Sequence, residues 1–188
     1  MRTVTSLFDT YEHATQALHA LKDAGIKSAD ISFIANSPED IEEADLIGDD
    51  ATVGAELGAF LGGAGGLLAG LGLVAIPGLG PVIAGGWLLA TALGAVTGAG
   101  LGAAAGGIIG SLTGAGIPES DAHVYAEGIR RGGVLLTVRV HHDQSQMAAE
   151  ILKLANGVDL EDRRKIYKGE GWERFEHDAI SKGKPPTP

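Results

Sequence analysis

Six histidines are the residues of this chain most suited to metal chemistry. They are His13, His19, His123, His141, His142 and His177. None of them pairs at the i, i+4 spacing that brings two ligands to one face of a helix. His141 and His142 are neighbours at the predicted end of a strand, where adjacent side chains point to opposite faces. Cysteine is absent, which excludes disulfides and thiolate-bound metals. We therefore predict no metal site.

Motifs for nucleophilic or nucleotide chemistry are also missing. Ser111 stands alone among apolar residues, and no G-x-S-x-G elbow occurs. The glycine-rich run at 70–75 has neither a predicted strand before it nor an acidic partner at the distance of a dinucleotide fold. We predict no catalytic residues, no cofactor, no small-molecule substrate and no enzyme activity. The hydroxyl of Ser111, like that of Thr113, is expected to bond back to a helix carbonyl.

Charge divides the chain into separate parts. The formal net charge of −10 argues against a nucleic-acid partner, since phosphates attract lysine and arginine. No charged residue occurs from Leu57 to Pro118. Arg130 and Arg131 are the first basic residues after this apolar block. They could contact the phosphates of lipid headgroups.

Within the block, glycines recur every four residues in two runs. The first run is Gly54, Gly58, Gly62, Gly66 and Gly70, and the second is Gly94, Gly98, Gly102, Gly106, Gly110 and Gly114. Residues four apart share one face of a helix, so each run predicts a groove without side chains. A strand would also align every fourth residue, but the remaining Leu and Ala residues show no alternation and favour helix.

A turn signal separates the two runs, because two prolines bracket two glycines. These residues are Pro77, Gly78, Gly80 and Pro81. We predict a hairpin with one helix over about 51–75, a turn, and a second helix over about 82–115. Small residues at every fourth position let helix backbones approach closely.

The glycine-rich hairpin favours a membrane. In water each helical glycine costs about 1 kcal/mol relative to alanine. In hydrocarbon the backbone must satisfy its own hydrogen bonds, which favours helix. We expect insertion into the cytoplasmic membrane with both termini in the cytoplasm, because no apolar signal segment follows Met1. One partner helix cannot cover a ridge this long, so we also expect a homo-oligomer.

Two other hypotheses stay open at this point. The hairpins could pack against one another in a soluble, cytoplasmic homo-oligomeric particle or filament. Alternatively, the flanking domain could be a small-molecule sensor that binds a ligand at a dimer interface.

The flanks of the block predict a second type of structure. Residues 1–36 are typical of strand, helix and strand, with Asp9 or Thr10 as helix cap and Gly25 at the helix end. The predicted inward stripe of this helix is Ala14, Ala17, Leu18 and Leu21.

After the block, the pattern predicts a helix over 118–131 and a strand over 134–140. A further helix begins at Asp143 or Ser145, and a short strand lies near 164–167. The expected inward residues of that helix are Met147, Ala148, Ile151, Leu152 and Leu154.

Together these elements predict an α+β fold. Residues 1–36 and 117–168 form a discontinuous ferredoxin-like split βαβ domain, which a long glycine-zipper α-helical hairpin over 51–116 interrupts. Residues 37–50 form an acidic linker, and 169–188 form a flexible tail in which Trp172 and Phe175 could dock.

One segment after the block supports a family resemblance. Residues 116–122 read GIPESDA, and residues 125–138 read YAEGIRRGGVLLTV. Together with the βαβ start and the apolar glycine-rich insert, they resemble the bacterial heat-induced general stress protein family over roughly residues 1–168. The resemblance implies a stress-induced, frequently membrane-associated protein that is not an enzyme, and it supplies no catalytic residues.

Overall fold

The computed structural model describes residues 1–36, 72–76, 79–88 and 102–176, which form a mixed α+β fold. The strands are β1 (Arg2–Phe8), β2 (Ile31–Ala35), β3 (Gly72–Ile76), β4 (Gly80–Gly86) and β5 (Val134–Val140). The helices are α1 (Tyr11–Asp23), α2 (Gly102–Gly114), α3 (Glu119–Arg130), α4 (Ser145–Leu154) and α5 (Leu160–Gly169). Short 3₁₀ turns occupy Ser28–Asp30 and His142–Gln144.

The five strands form one antiparallel sheet in the order β1-β5-β2-β4-β3. Alternate residues of the central strand β5 enter two different cores. Val134, Leu136 and Val138 join a cluster with α1 and α4, whereas Leu135 joins a cluster with α2 and α3. Helices therefore cover both faces of the sheet, and nearly every residue of β5 is buried.

The prediction for α1 is confirmed. Thr10 caps the helix, since its side chain accepts a hydrogen bond from the backbone N–H of His13 at 3.3 Å. All four residues of the predicted stripe are buried. Gly25 follows the helix with φ of 82°, a conformation that glycine adopts without strain. The predicted strands at 31–35 and 134–140 and the helix that starts at Pro118 are confirmed as well.

The predicted strand near 164–167 is wrong, because these residues lie in α5. Asp159 caps this helix through the backbone N–H groups of Glu161 and Asp162. Ion pairs at i, i+3 then support it, Glu161 with Arg164 and Asp162 with Lys165. At the edge of β1, the Val158 N–H donates to the Leu7 carbonyl at 2.8 Å. The last strand of the predicted β-α-β-β-α-β order is therefore a helix.

The inward face of α4 was only partly predicted. Ala148 and Leu152 are buried, and Ile151 packs on the same core. Met147 is 36% exposed and Leu154 is 84% exposed, so these two predictions are wrong. Helix α4 packs on β1, the edge strand of the sheet, and the sheet therefore covers only a narrow stripe of the helix.

The predicted helical hairpin is wrong over residues 72–75 and 82–86, which form strands β3 and β4. Gly80 and Pro81 belong to β4 rather than to a turn, while Pro77 and Gly78 lie outside the described residues. Strand β4 pairs with the edge of β2, a strand buried along its whole length. Without this partner, one row of β2 backbone groups would be buried and unpaired, which is unfavourable.

Candidate functional site

The second glycine run reaches the described structure in helix α2. Gly102, Gly106, Gly110 and Gly114 lie in this helix. The remaining zipper glycines lie outside the described residues, and they are Gly54, Gly58, Gly62, Gly66, Gly70, Gly94 and Gly98. The predicted linker at 37–50 lies outside them too.

Helix α2 is not continuous. Gly107 has φ of 49° and ψ of −139°, a conformation outside the helical region that places a kink inside the element. The continuous helix predicted over about 82–115 is therefore interrupted at Gly107. The kink separates Gly102 and Gly106, which precede it, from Gly110 and Gly114, which follow it.

After the kink, the two sides of α2 differ. Ile108, Ile109 and Leu112 are buried in the core that α2 shares with α3. At Gly110 and Gly114, on the other side, no described heavy atom outside the helix's own backbone lies within 4 Å of the position a Cβ would take. The glycine side thus has space for close approach by another molecule.

The hydroxyls of α2 behave as predicted. Ser111 Oγ donates to the Gly107 carbonyl at 3.1 Å, and Thr113 Oγ1 donates to the Ile109 carbonyl at 2.9 Å. Both hydroxyls are satisfied inside the helix, as expected for an apolar surrounding. Ser111 therefore has the partner of a structural residue rather than of a nucleophile.

Close glycine packing occurs at Gly128 and Gly157, which belong to neither glycine run, and at Gly86, which lies eight residues before Gly94 and so shares the spacing of the second run. A Cβ at Gly128 would lie 2.3 Å from Leu7 Cδ2, and one at Gly157 would lie 2.4 Å from Ser6 Oγ. A Cβ at Gly86 would lie 2.3 Å from the Ile31 carbonyl oxygen. These contacts cross between elements far apart in the chain, so the spacing of the glycines does not show what each of them packs against.

Arg130 and Arg131, at the end of α3, both bind the carboxylate of Glu127. Arg130 donates from Nε at 2.8 Å and from Nη2 at 2.6 Å, and Arg131 donates from Nε at 2.7 Å. The Glu127 side chain is fully buried, whereas the two arginine side chains remain 28% and 35% exposed. A buried carboxylate is stable when it is paired with charged donors, and removal of either the carboxylate or its donors is strongly destabilising.

The network continues from α3 to the C-terminal part of the chain. Arg131 Nη1 also donates to Glu170, and the Arg131 guanidinium lies 4.1 Å from the centre of the Tyr167 ring. Partial burial lowers the pKa of Arg131, but the hydrogen bonds to Glu170 and Glu127 outweigh it, so the pKa is raised. Both arginines therefore bind carboxylates of the chain itself. Their contact with lipid headgroups stays a prediction.

No family model, no curated protein and no solved structure matches this chain. The functional argument consequently depends on the geometry of the chain itself.

Within the described ranges, no helix is both long enough and apolar enough to traverse a bilayer. In the same residues, no three His, Cys, Asp or Glu side chains are grouped so that they could hold a metal ion. His123 Nε2 lies 3.8 Å from the Glu119 carboxylate, and His177 lies outside the described part.

The buried hydroxyl of Tyr125 should make the free energy of unfolding depend on pH in the alkaline range. Its hydroxyl donates to the Thr5 carbonyl at 3.2 Å, and burial, together with the charge of Asp121, raises the pKa of Tyr125 to about 12. Between the unfolded pKa near 10 and this value, only the unfolded chain releases the proton. Stability is therefore complete below pH 10 and falls as the pH rises through 12, by up to about 3 kcal/mol.

Urea unfolding of the wild type and Tyr125→Phe at several values between pH 9 and 11.5 measures this effect. The variant loses one hydrogen bond at every pH but should show a shallower decline with pH. Tyr167, whose pKa burial also raises, is present in both proteins and contributes equally. Parallel declines would contradict the assignment to Tyr125.

Proposed function

We propose that this chain is a non-enzymatic protein that assembles with copies of itself through its glycine-rich apolar block. The open glycine side of α2 carries this proposal. Among the described residues, Gly110 and Gly114 meet no heavy atom where a Cβ would be, while the opposite side of the helix is packed on its own core. Two backbones can approach each other closely along such a surface.

The flanking α+β domain holds two parts of the block in place, strand β4 and helix α2. Strand β4 is joined to β2 by four residue pairs, from Ser32 with Gly86 to Ala35 with Ile83, and Ser32 Oγ donates to the Gly85 carbonyl at 2.9 Å. Helix α2 is anchored by the core that it shares with α3. We interpret β1, α1, β2, β5 and α4 as a ferredoxin-like core whose last strand is replaced by α5.

Attachment to a membrane is the second part of the proposal. The absence of charge from Leu57 to Pro118 supports it, since charged side chains are expensive in hydrocarbon. The strands β3 and β4 favour the alternative of a soluble assembly, because they place part of this block in the sheet of the domain. The family resemblance adds a stress-response context to either form.

Size measurement of glycine variants tests self-assembly. Leucine at Gly110 or Gly114 should leave the domain folded, because no described atom occupies the space around either position, but should abolish most of the assembled fraction. Light scattering after size exclusion, with and without detergent, measures the mass. Gly169→Leu is the matched control, since Gly169 also lies in a helix and meets no described atom where a Cβ would be, but is outside the block.

The outcomes separate the hypotheses. A wild type that is monomeric in both conditions, or an equal loss of assembly in Gly169→Leu, contradicts the proposal. Extraction of cell membranes with carbonate then distinguishes the two locations: a protein inserted through its apolar block stays with the membrane, and a soluble assembly is released.

A further inference from the structure

A cleft of about 230 Å³ lies where the turn after α1 meets the end of β5. Three of its lining side chains can carry a positive charge, namely Lys27, Arg139 and His141. Asp30 is the one carboxylate residue among the residues that line it. This local excess of basic groups contrasts with the net charge of −10 of the whole chain.

Arg139 is held in place from two sides. Its Nη2 donates to Asp30 Oδ1 at 3.1 Å, and its guanidinium carbon lies 4.4 Å from the centre of the Trp87 ring. An arginine that is already oriented loses less conformational freedom when it binds an anion. The Arg139 side chain is still 37% exposed, so a ligand can reach it.

The described protein groups do not use the full hydrogen-bonding capacity of this arginine. A guanidinium has five N–H donors, and the contacts to Asp30 and to the Ala29 carbonyl both involve Nη2. Arg139 Nε has no hydrogen-bond partner in the described part of the chain, but this atom is buried and is therefore not open to a ligand. No described residue accepts a hydrogen bond from Nη1, so its N–H groups are the donors left for further acceptor oxygens.

We propose that this cleft binds a phosphate-type oxyanion. Arginine forms paired hydrogen bonds with such groups, and lysine adds a point charge. The volume is several times the roughly 30 Å³ share of one water, so a group of several heavy atoms fits. A divalent cation is a poorer match, because the single carboxylate is already paired with Arg139.

The cleft is connected to the apolar block through Trp87. This residue directly follows β4, and its ring carries the guanidinium that would hold the anion. The oxyanion could be free phosphate or the headgroup of an acidic lipid, since both present the same oxygens. The two sources differ in whether binding requires a bilayer.

Calorimetric titration of the full chain with sodium phosphate, against sodium chloride at equal ionic strength, tests the site. We expect millimolar binding that is at least about tenfold weaker in Arg139→Gln and about threefold weaker in Lys27→Gln. Lys153→Gln is the control, because Lys153 is exposed and lies outside the cleft. Lys27 is exposed too, so that variant remains informative if Arg139→Gln fails to fold.

Sedimentation with vesicles of phosphatidylcholine, with and without phosphatidic acid, forms the second arm. Phosphate binding without vesicle binding supports a free anion as ligand. Vesicle binding that needs phosphatidic acid and is weakened in Lys27→Gln but not in Lys153→Gln supports a lipid headgroup. If neither probe binds, or if Lys153→Gln weakens binding as much as the cleft variants do, the proposal is overturned.

Discussion

Alanine at Gly86 is expected to lower the free energy of unfolding by more than about 3 kcal/mol, a large part of the stability of a typical domain. Gly86 has φ of 95°, where an L-residue is strained. A Cβ there would also lie 2.3 Å from the Ile31 carbonyl oxygen and 2.7 Å from Ser32 Cα. Both contacts are with backbone, so no side-chain rotation can relieve them.

The strain and the close contact can be measured separately. Gly25 has φ of 82°, but a Cβ there would meet no atom of the described residues within 4 Å. Gly25→Ala should therefore cost only the conformational strain, about 1–2 kcal/mol. Urea unfolding monitored by circular dichroism gives the loss of unfolding free energy for each variant. The difference between the two losses is the energy of the close contact with β2.

This experiment also tests the pairing of β4 with β2, on which the correction of the helical hairpin depends. Ser32 pairs with Gly86 at the end of this ladder. If residues 80–86 were helical and away from β2, alanine at Gly86 would be neutral or slightly stabilising. Equal stability of Gly86→Ala and the wild type would contradict the sheet.

The sequence allowed the prediction of elements whose signals are local. The stripe of α1 and the Thr10 cap lie within a few residues of one another, so their pattern alone determines the helix. The helix α5 also had local signals, because Asp159 precedes Glu161 and Asp162, with basic residues three positions later. The expected fold order nevertheless favoured a strand there, and the local evidence was the better guide.

Non-local contacts explain the errors in the apolar block. Whether residues 80–86 form a helix or a strand depends on the buried edge of β2, which is about fifty residues away in the chain. The spacing of the glycines is the same in both cases. For the same reason, the sequence indicated Gly110 and Gly114 as packing residues but could not show that their side of α2 is open within the described chain.

The second large effect concerns Glu127. Its i, i+3 and i, i+4 spacing to Arg130 and Arg131 is visible in the sequence, but its complete burial is not. We expect Glu127→Gln to lower the free energy of unfolding by about 3 kcal/mol. Glutamine has a similar shape, but it carries no charge and would turn an N–H₂ group toward one of the guanidinium groups.

Because the two arginines are partly exposed and Glu127 is buried, loss of the carboxylate and loss of one arginine should cost different amounts of stability. Each arginine can turn toward water if its carboxylate is lost, whereas Glu127 cannot leave the interior. Either Arg130→Gln or Arg131→Gln leaves Glu127 with one charged partner, so each should cost less than Glu127→Gln, about 1–2 kcal/mol. Chemical denaturation of the three variants measures this order.

Glu119→Gln is the matched control on the same helix, because the Glu119 side chain is 75% exposed and its ion-pair partner among the described residues is a histidine at 3.8 Å. It should change stability by less than about 0.5 kcal/mol. Because Arg131 bridges Glu127 and Glu170, Glu127→Gln should also increase amide hydrogen exchange in α5. Exchange in α5 that stays at the wild-type rate, with a stability loss no larger than that of Glu119→Gln, would show that the carboxylate does not hold α5 to α3.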